Sequence, residues 1–315
     1  MKKVIVLLGP TGVGKTGASL LLAHELDTEI ISADSMQIYR GMDIGTAKPS
    51  KKELAEVRHH MIDIVEPTEA YSAGQYIDAV TRIIEGLHKK GRIPVVVGGT
   101  GLYIKAMTRG IFSGPSADLL LRDELLLMEQ NSPGSLYPYL VSMDSEAAGK
   151  IQKNDIRRIV RALEVCLKSS EKISMLQKKL TCALPYEFIR IGLTRDRKEL
   201  YRIIDERVER MFESGLMEET ESILKQCPGR TALQAIGYKE LKMYLEREID
   251  KAEAVRLIKR NTRRYAKRQF TWFKKEEGIV WIDVTGIFDS LMVFHSMKDK
   301  LMRVHPEVFQ CNTAG

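Results

Sequence analysis

A glycine-rich loop near the amino terminus has the residue types needed to bind a phosphate. The loop follows the apolar run Val4–Leu8, precedes the helix-like stretch Gly17–Glu25, and reads Gly9-Pro10-Thr11-Gly12-Val13-Gly14-Lys15-Thr16. Its glycines let successive backbone N–H groups converge on one oxyanion, its lysine adds a full positive charge, and its final hydroxyl can ligate Mg²⁺. This spacing predicts a P-loop. The loop alone does not identify the phosphorylated ligand, for which ATP is the default.

A second polar segment follows the next apolar run. Asp34 comes directly after Glu29–Ala33, and Ser35, Met36 and Gln37 come next. A carboxylate, a hydroxyl and a carboxamide at this spacing can hydrogen-bond the edge of a nucleobase. We therefore predict that Asp34 is a base or acceptor at the reacting centre. The alternative is that Asp34 caps the next helix.

The run Ile93–Val97 ends in Gly98-Gly99-Thr100-Gly101. Three glycines in four residues indicate the close approach of another group, and Thr100 supplies the only side chain there that can bond it. The alternative is a tight turn between a strand and a helix. Since no aspartate ends this run in the Walker B manner, a Mg²⁺ ion must rely on Thr16, the phosphorylated ligand, another carboxylate or water.

Three segments are rich in cationic side chains. Asp155–Glu164 reads as a helix with basic faces, and Arg256–Lys275 has nine Lys or Arg and no acidic residue. Such a dense ladder repels itself unless a polyanion neutralises it. The stretch Leu200–Met211 carries Arg202, Arg207 and Arg210, which favours a lid over a phosphorylated ligand. For Asp155–Glu164 and Leu200–Met211 the alternative is an ordinary solvated surface helix.

Short apolar runs that alternate with helix-like stretches predict parallel strands covered on both faces. The runs are Val4–Leu8, Glu29–Ala33, Met61–Val65, Ile93–Val97, Phe188–Leu193 and Gly278–Val284. We expect an α/β, P-loop NTPase-like parallel sheet flanked by helices, formed by residues 1–114 and 186–315. Residues 115–185 lack strand signals and should form an all-helical insertion. Ligands of open α/β sheets bind beyond the carboxyl ends of the strands, where the loops described above would lie.

Composition narrows the function class. The 315 residues are 44% hydrophobic and 29% charged, and no apolar run reaches the length of a membrane span. The excess of seven positive charges suits a polyanionic partner. The four cysteines, Cys166, Cys182, Cys227 and Cys311, are far apart, which favours free thiols in the cytoplasm and gives no zinc site. No heptad pattern demands a partner chain, so we expect a monomer.

Eight segments, in order along the chain, resemble the bacterial branch of the tRNA dimethylallyltransferase (tRNA isopentenyltransferase) family. They are GPTGVGKT at Gly9–Thr16, DSMQIYRGMDIGTAKP at Asp34–Pro49, HHMID at His59–Asp63, GGTGLY at Gly98–Tyr103, NDIRRIVRALEV at Asn154–Val165, RVERMFESGLMEE at Arg207–Glu219, QAIGYKEL at Gln234–Leu241 and TRRYAKRQFTWF at Thr262–Phe273. The chain departs from many relatives at Gln152-Lys153, where they carry His-Pro.

The resemblance implies transfer of a dimethylallyl group from dimethylallyl diphosphate to N6 of adenosine 37 in tRNA, with release of diphosphate. The P-loop would then hold the diphosphate rather than ATP, with Mg²⁺ on Thr16. Asp34, Thr100 and Arg207 would be the catalytic residues. The implied contacts with the flipped adenosine and the anticodon arm are Asp34, Ser35, Met36, Gln37, Arg122, Arg158, Ile159, Val160, Arg161, Ala162, Gly237, Tyr238 and Lys239.

Three other functions share parts of this pattern. An enzyme that prenylates free adenine nucleotides would use the P-loop and Asp34 but would not need the helical insertion. A small-molecule kinase would consume ATP. An RNA-binding P-loop protein without catalytic activity would not need Asp34 or Thr100.

Overall fold

The computed structural model describes residues 2–112 and 114–310. The chain forms two compact units. One comprises Met1–Ile104 and Pro185–Gly315, and the other comprises Lys105–Leu184. The helical unit therefore begins earlier in the chain than the expected boundary at residue 115, inside a helix that spans Gly101–Arg109.

The first unit contains a six-stranded sheet in which every strand pair is parallel, as predicted. The strand order is β3-β2-β4-β1-β5-β6. The strands are β1 (Lys3–Leu8), β2 (Ile30–Ala33), β3 (His59–His60), β4 (Val95–Gly98), β5 (Glu187–Thr194) and β6 (Ile279–Asp283). The neighbouring strands β1, β2 and β4 read as nearly continuous apolar runs because helices cover both faces of the sheet.

One predicted strand is misplaced. The third strand was expected at Met61–Val65, but β3 lies at His59–His60 and the chain then turns. Met61 and Asp63 have φ values of 64° and 53°, in the left-handed region, which a strand does not tolerate. Ile64 and Val65 of this run pack instead against the buried cluster that includes Ile38, Tyr39 and Met42.

The helices of the first unit surround this sheet. They are α1 (Lys15–Glu25), α2 (Lys51–Glu56), α3 (Ala73–Lys89), α4 (Gly101–Arg109, which crosses into the second unit), α10 (Arg197–Glu213), α11 (Leu216–Lys225), α12 (Tyr238–Leu245), α13 (Lys251–Phe273), α14 (Ser290–Val304) and α15 (Glu307–Gln310). The core between α1, α14 and the sheet is apolar and fully buried at residues such as Ile5, Leu7, Leu22 and Ile191. Burial of this surface is the main force that holds the layers together.

The second unit is all helical. Its helices are α5 (Leu119–Asn131), α6 (Leu136–Met143), α7 (Ser145–Lys150), α8 (Ile156–Ser169) and α9 (Ile173–Leu180). Buried Asp144 caps α7 by accepting the Ala147 N–H, and it also accepts the Ser174 N–H and hydroxyl, so one carboxylate joins α7 to α9. Within the described parts of the chain, no helix is long and apolar enough to cross a membrane.

Strand register brings three loops to one edge of the sheet. Leu8 at the end of β1 and Ala33 at the end of β2 both pair with Gly98 at the end of β4. The residues that follow these strand ends begin the P-loop, the Asp34 segment and the Gly99–Thr100 turn. The carboxyl edge of three neighbouring strands therefore carries all three segments singled out from the sequence.

Candidate active site

The P-loop has a backbone that requires glycine. Gly9, Gly12 and Gly14 have φ values of 148°, 81° and 107°. A Cβ atom at Gly9 would lie 2.7 Å from the Leu193 carbonyl oxygen on β5. The loop is thus pressed against the sheet, and α1 begins at Lys15 immediately after it.

Lys15 is held by its own loop. Its Nζ donates to the carbonyl oxygens of Gly9 at 2.9 Å and Pro10 at 2.8 Å. Burial lowers the pKa of Lys15 to about 8, while nearby Asp34 opposes this shift and nearby Arg207 reinforces it. Because burial penalises the charged ammonium, an anionic ligand beside Lys15 would be strongly favoured.

Two residues that are distant in sequence fix Thr11 within the loop. The Thr11 N–H donates to Gln269 Oε1 at 2.9 Å, and Gln269 Nε2 donates to the Gly99 carbonyl at 2.9 Å. Arg207 Nη1 donates to the Thr11 hydroxyl at 3.2 Å. Burial lowers the pKa of Arg207. Gln269, which the sequence reasoning missed, therefore joins the P-loop to the turn after β4.

Asp34 organises the segment after β2. Its Oδ1 accepts the N–H groups of Met36 at 2.8 Å and Gln37 at 3.4 Å. The alternative that it caps a helix is wrong, because the next helix begins at Lys51 and is capped by Ser50. Asp34 is therefore held in a turn at the strand end, at the edge where the P-loop lies.

Thr100 joins the turn after β4 to the segment after β2. Its hydroxyl accepts the Ser35 N–H at 3.0 Å and contacts the Ser35 hydroxyl at 3.4 Å. Tyr265 of α13 lies beside it, and burial raises the pKa of the Tyr265 phenol, with Asp34 adding to the shift and the Thr100 hydroxyl opposing it. The phenol thus stays protonated and uncharged across the physiological range.

Two cavities meet at these residues. The first, of about 680 Å³, is lined by the P-loop residues Gly12, Lys15 and Thr16 together with polar groups of Ser32, Gln37 and His59. The second, of about 1080 Å³, has a more apolar lining that includes Val208, Met211, Leu216 and Ile258, with Tyr265 and Arg268. The residues common to both linings are Thr11, Asp34, Thr46, Ala47 and Arg207. A phosphorylated ligand and a flat apolar ligand could therefore react across one junction.

The cationic ladder of α13 is partly neutralised within the protein. Arg256 pairs with Glu253, Lys259 with Glu209, and Arg263 with Asp205. The expectation that the whole ladder needs a polyanion is therefore too strong. Arg264, Lys267 and Arg268 are exposed, and no carboxylate within the described residues pairs with them. These three remain available to a polyanionic partner.

The predicted RNA-contacting residues of α8 fall into two groups. Arg158 is exposed and lies 3.4 Å from Asp155. Ile159, Val160 and Ala162 are buried in the core of the helical unit, so their side chains hold the helix in place and are not exposed to a ligand. This burial corrects the implied direct contacts of these three side chains.

Arg122 and Arg161 share an internal partner. Both form ion pairs with Glu164, whose side chain is fully buried. Burial alone would raise the pKa of Glu164, but hydrogen bonds from Arg122, the Asp118 N–H and Arg161 lower it below its ordinary value. The two arginines are therefore already engaged within the helical unit, which reduces their availability for RNA.

The α12 residues also differ in exposure. Gly237 lines the second cavity, Lys239 is exposed, and Tyr238 is buried with its hydroxyl donating to Glu219 at 2.6 Å. A tyrosine in this position supports other residues rather than lining an RNA path.

Of the arginines on α10, Arg202 lies 3.8 Å from Glu206 in a surface pair.

The described cysteines Cys166, Cys182 and Cys227 are free thiols, as expected. Cys311 lies outside the described residues.

Comparison with known proteins identifies the family. The profile of the IPP transferase family matches residues 37–276. The tRNA dimethylallyltransferase of Thermodesulfovibrio yellowstonii is 52% identical over 96% of this chain and 98% of its own length. That of Thermotoga maritima is 44% identical over 98% of this chain and 99% of its own.

Solved structures give the same result. The tRNA isopentenylpyrophosphate transferase of Bacillus halodurans superimposes with a TM-score of 0.70 at 39% identity, covering 96% of this chain and 98% of that one. A eukaryotic dimethylallyltransferase that acts on tRNA gives a TM-score of 0.81 at 29% identity, covering 98% of this chain and 80% of that one. With its parallel sheet, P-loop and eight ordered segments, the chain belongs to the IPP transferase family.

Proposed function

We propose that this chain transfers the dimethylallyl group of dimethylallyl diphosphate to N6 of adenosine 37 in tRNA and releases diphosphate. The observation that supports this most directly is the pair of cavities that share Asp34, Thr11 and Arg207. One cavity has the cationic, amide-rich lining that suits a diphosphate. The other has an apolar lining that suits a purine ring.

The diphosphate would bind at the P-loop. The backbone N–H groups of the loop, the amino terminus of α1 and the Lys15 ammonium all favour a dense negative charge. Negative charge builds on the diphosphate as the allylic C–O bond breaks, so cations at this position stabilise the transition state more than the ground state. Arg207, at the junction of the cavities, would act on the same leaving group.

The donor set at the P-loop fits Mg²⁺. The Thr16 hydroxyl lines the first cavity at the start of α1, and hydroxyl and phosphate oxygens are hard ligands of the kind Mg²⁺ prefers. We propose that Thr16 and the diphosphate hold the ion, which would neutralise the leaving group when bound. Lys15 and Arg207 supply positive charge to the same oxygens from the protein itself.

Asp34 would accept the proton of the attacking amine. The N6 lone pair of adenine is delocalised into the ring, so the amine is a poor nucleophile until its proton is removed as the new C–N bond forms. Asp34 lines both cavities, which is the position required of a group that contacts both substrates. Thr100, which bonds the adjacent Ser35, would orient the amine in line with the allylic carbon.

The adenosine would enter through the second cavity. Ser35, Met36 and Gly237 line it, together with the exposed Arg268. A base that leaves its stack needs an apolar slot and cationic groups for the flanking phosphates. In the helical unit, exposed Arg158 and its neighbour Arg157 would contact the anticodon arm.

A direct substrate comparison tests this function. The full chain is incubated separately with an anticodon stem-loop, with AMP, and with ATP plus small metabolites, with dimethylallyl diphosphate present in the first two cases. We expect prenylation of the stem-loop alone. Prenylated AMP would identify a nucleotide prenyltransferase, and phosphoryl transfer from ATP would identify a kinase.

Cellular location and assembly are part of the proposal. A chain that acts on tRNA would work in the cytoplasm, where its free thiols stay reduced. The chain would act as a monomer, because no heptad pattern in its sequence demands a partner chain. Light scattering during gel filtration at micromolar concentration measures the assembly state.

A further inference from the structure

A carboxylate outside both cavities holds one wall of the site in place. Glu219 on α11 accepts the N–H groups of Asp43 at 2.9 Å, Ile44 at 2.8 Å and Gly45 at 3.0 Å. It accepts a fourth hydrogen bond from the Tyr238 hydroxyl at 2.6 Å. Glu219 lines neither cavity.

The segment that Glu219 binds reaches the reacting centre. Thr46 and Ala47, the next residues along the chain, line both cavities. Their carbonyl oxygens accept the carboxamide of Gln37 at 3.4 Å and 3.2 Å, and Gln37 is bonded through its N–H to Asp34. Hydrogen bonds and short stretches of backbone therefore connect Glu219, through this wall, to the proposed base.

Tyr238 fixes the geometry of this contact. A Cβ atom at Gly45 would lie 2.5 Å from the Tyr238 ring, so the loop is packed directly on the ring and only glycine fits. Burial raises the pKa of the Tyr238 phenol, and the neighbouring Glu219 carboxylate raises it further. The phenol therefore stays protonated throughout the physiological range and donates a hydrogen bond to the Glu219 carboxylate.

We propose that Glu219 and Tyr238 are positioning residues of the transfer reaction, which hold residues 43–47 so that the wall shared by the two cavities aligns the substrates. This inference rests on the proposed function. A carboxylate that accepts four hydrogen bonds is needed here because the N–H groups of Asp43, Ile44 and Gly45 lie in an irregular loop, outside the helices and strands that would otherwise supply their partners. Small displacements of aligned groups reduce the rate without weakening substrate binding.

The test uses Glu219→Gln and Tyr238→Phe. A glutamine at position 219 has one acceptor oxygen instead of two, and a phenylalanine at position 238 keeps the ring packed on Gly45 but removes the hydroxyl. The matched control is Glu29→Gln. Glu29 is a buried carboxylate at the amino end of β2 that accepts hydrogen bonds from His60, Lys90 and Arg92.

Steady-state kinetics with dimethylallyl diphosphate and an anticodon stem-loop are measured well below the melting temperature of each variant. We expect kcat to fall about 10-fold or more in Glu219→Gln and less in Tyr238→Phe, with KM for both substrates within about 2-fold of the intact protein. Hydrogen exchange should accelerate at the amides of residues 43–45. The control should keep its kcat even where it lowers the melting temperature.

Unchanged kcat in Glu219→Gln, or an equal loss in Glu29→Gln, would overturn the inference. If Glu219→Gln does not fold, Tyr238→Phe decides the matter by the same criteria. An intact chain that produces no prenylated RNA refutes the proposed function instead, so the two failures are distinct.

Discussion

The guanidinium of Arg207 donates a hydrogen bond to the hydroxyl of Thr11 across 3.2 Å. This contact connects α10 to the P-loop, and both residues line both cavities. An arginine that could have been one of several surface charges on α10 therefore lies at the junction of the two cavities.

Replacing Arg207 with Gln should lower the single-turnover rate of prenyl transfer about 10²- to 10³-fold, the usual effect of removing one transition-state donor. The control is Arg210→Gln, because Arg210 is exposed on the same helix. Rapid-quench kinetics with a stem-loop substrate measure both rates. Equal rates in the two variants would remove Arg207 from the chemistry.

Asp34→Asn should keep diphosphate affinity and lower the single-turnover rate about 10²-fold or more, since an amide cannot accept the amine proton. The exposed residue Asp27, which pairs with Arg92 before β2, provides the control Asp27→Asn. Isothermal titration measures binding and rapid quench measures the rate. A full rate in Asp34→Asn would exclude the proposed base.

Diphosphate binding should depend on the charge of Lys15. The pKa of Lys15 in the free protein is lowered to about 8, and a bound anion should raise it again because it favours the charged ammonium. Above pH 8 the complex therefore holds more protons than the free protein. As far as Lys15 is concerned, the affinity for diphosphate should be constant below this value and fall up to about tenfold per pH unit above it.

Titration of inorganic diphosphate between pH 6.5 and about 9.5 measures this dependence. In Lys15→Arg the guanidinium stays charged, so the decline in diphosphate affinity that begins near pH 8 should disappear. The ionisation of diphosphate itself is common to both proteins, so it does not cause a difference between them. The same decline in both proteins would show that Lys15 is not its cause.

The exposed arginines of α8 should contact RNA phosphates. Replacing Arg157 and Arg158 with Gln should weaken tRNA binding and reduce the slope of log affinity against log salt by about 1 for each phosphate that the protein no longer neutralises. Filter binding across a salt series measures the slope. An unchanged slope would show that Arg157 and Arg158 are ordinary solvated surface residues that do not contact RNA phosphates.

Arg122→Gln should act on stability rather than on RNA binding, because Arg122 is bonded to the fully buried Glu164. Loss of this partner should lower the free energy of unfolding by roughly 1–3 kcal/mol. Denaturant unfolding provides the measurement. If Arg122→Gln instead keeps full stability and reduces the slope of log tRNA affinity against log salt, Arg122 would be an RNA contact.

Local patterns in the sequence predicted most of the site. The P-loop and Asp34 directly follow a strand and Thr100 lies two residues after one, so their position at one edge followed from the parallel sheet alone. The role of a residue could not be assigned from the sequence where its pattern is typical of both an exposed surface helix and a binding site.

Contacts between distant segments could not be predicted in this way. Gln269 bonds Thr11 across 258 positions, and nothing in its neighbourhood distinguishes it from the other polar residues of α13. The burial of individual side chains could not be predicted either. Ile159, for example, lies in the core of the helical unit, which forms only when its helices pack together. The strand expected at Met61–Val65 failed because left-handed residues turn the chain there.

The central claim is that the P-loop binds an isoprenoid diphosphate and that an adenine of tRNA attacks it. Total tRNA can be hydrolysed and analysed by mass spectrometry from bacterial cells without their own enzyme, expressing either the intact chain or Asp34→Asn. The account predicts N6-dimethylallyladenosine in the hydrolysate from cells with the intact chain only. Its absence when the intact chain is folded and expressed, or its equal abundance with Asp34→Asn, would contradict the account.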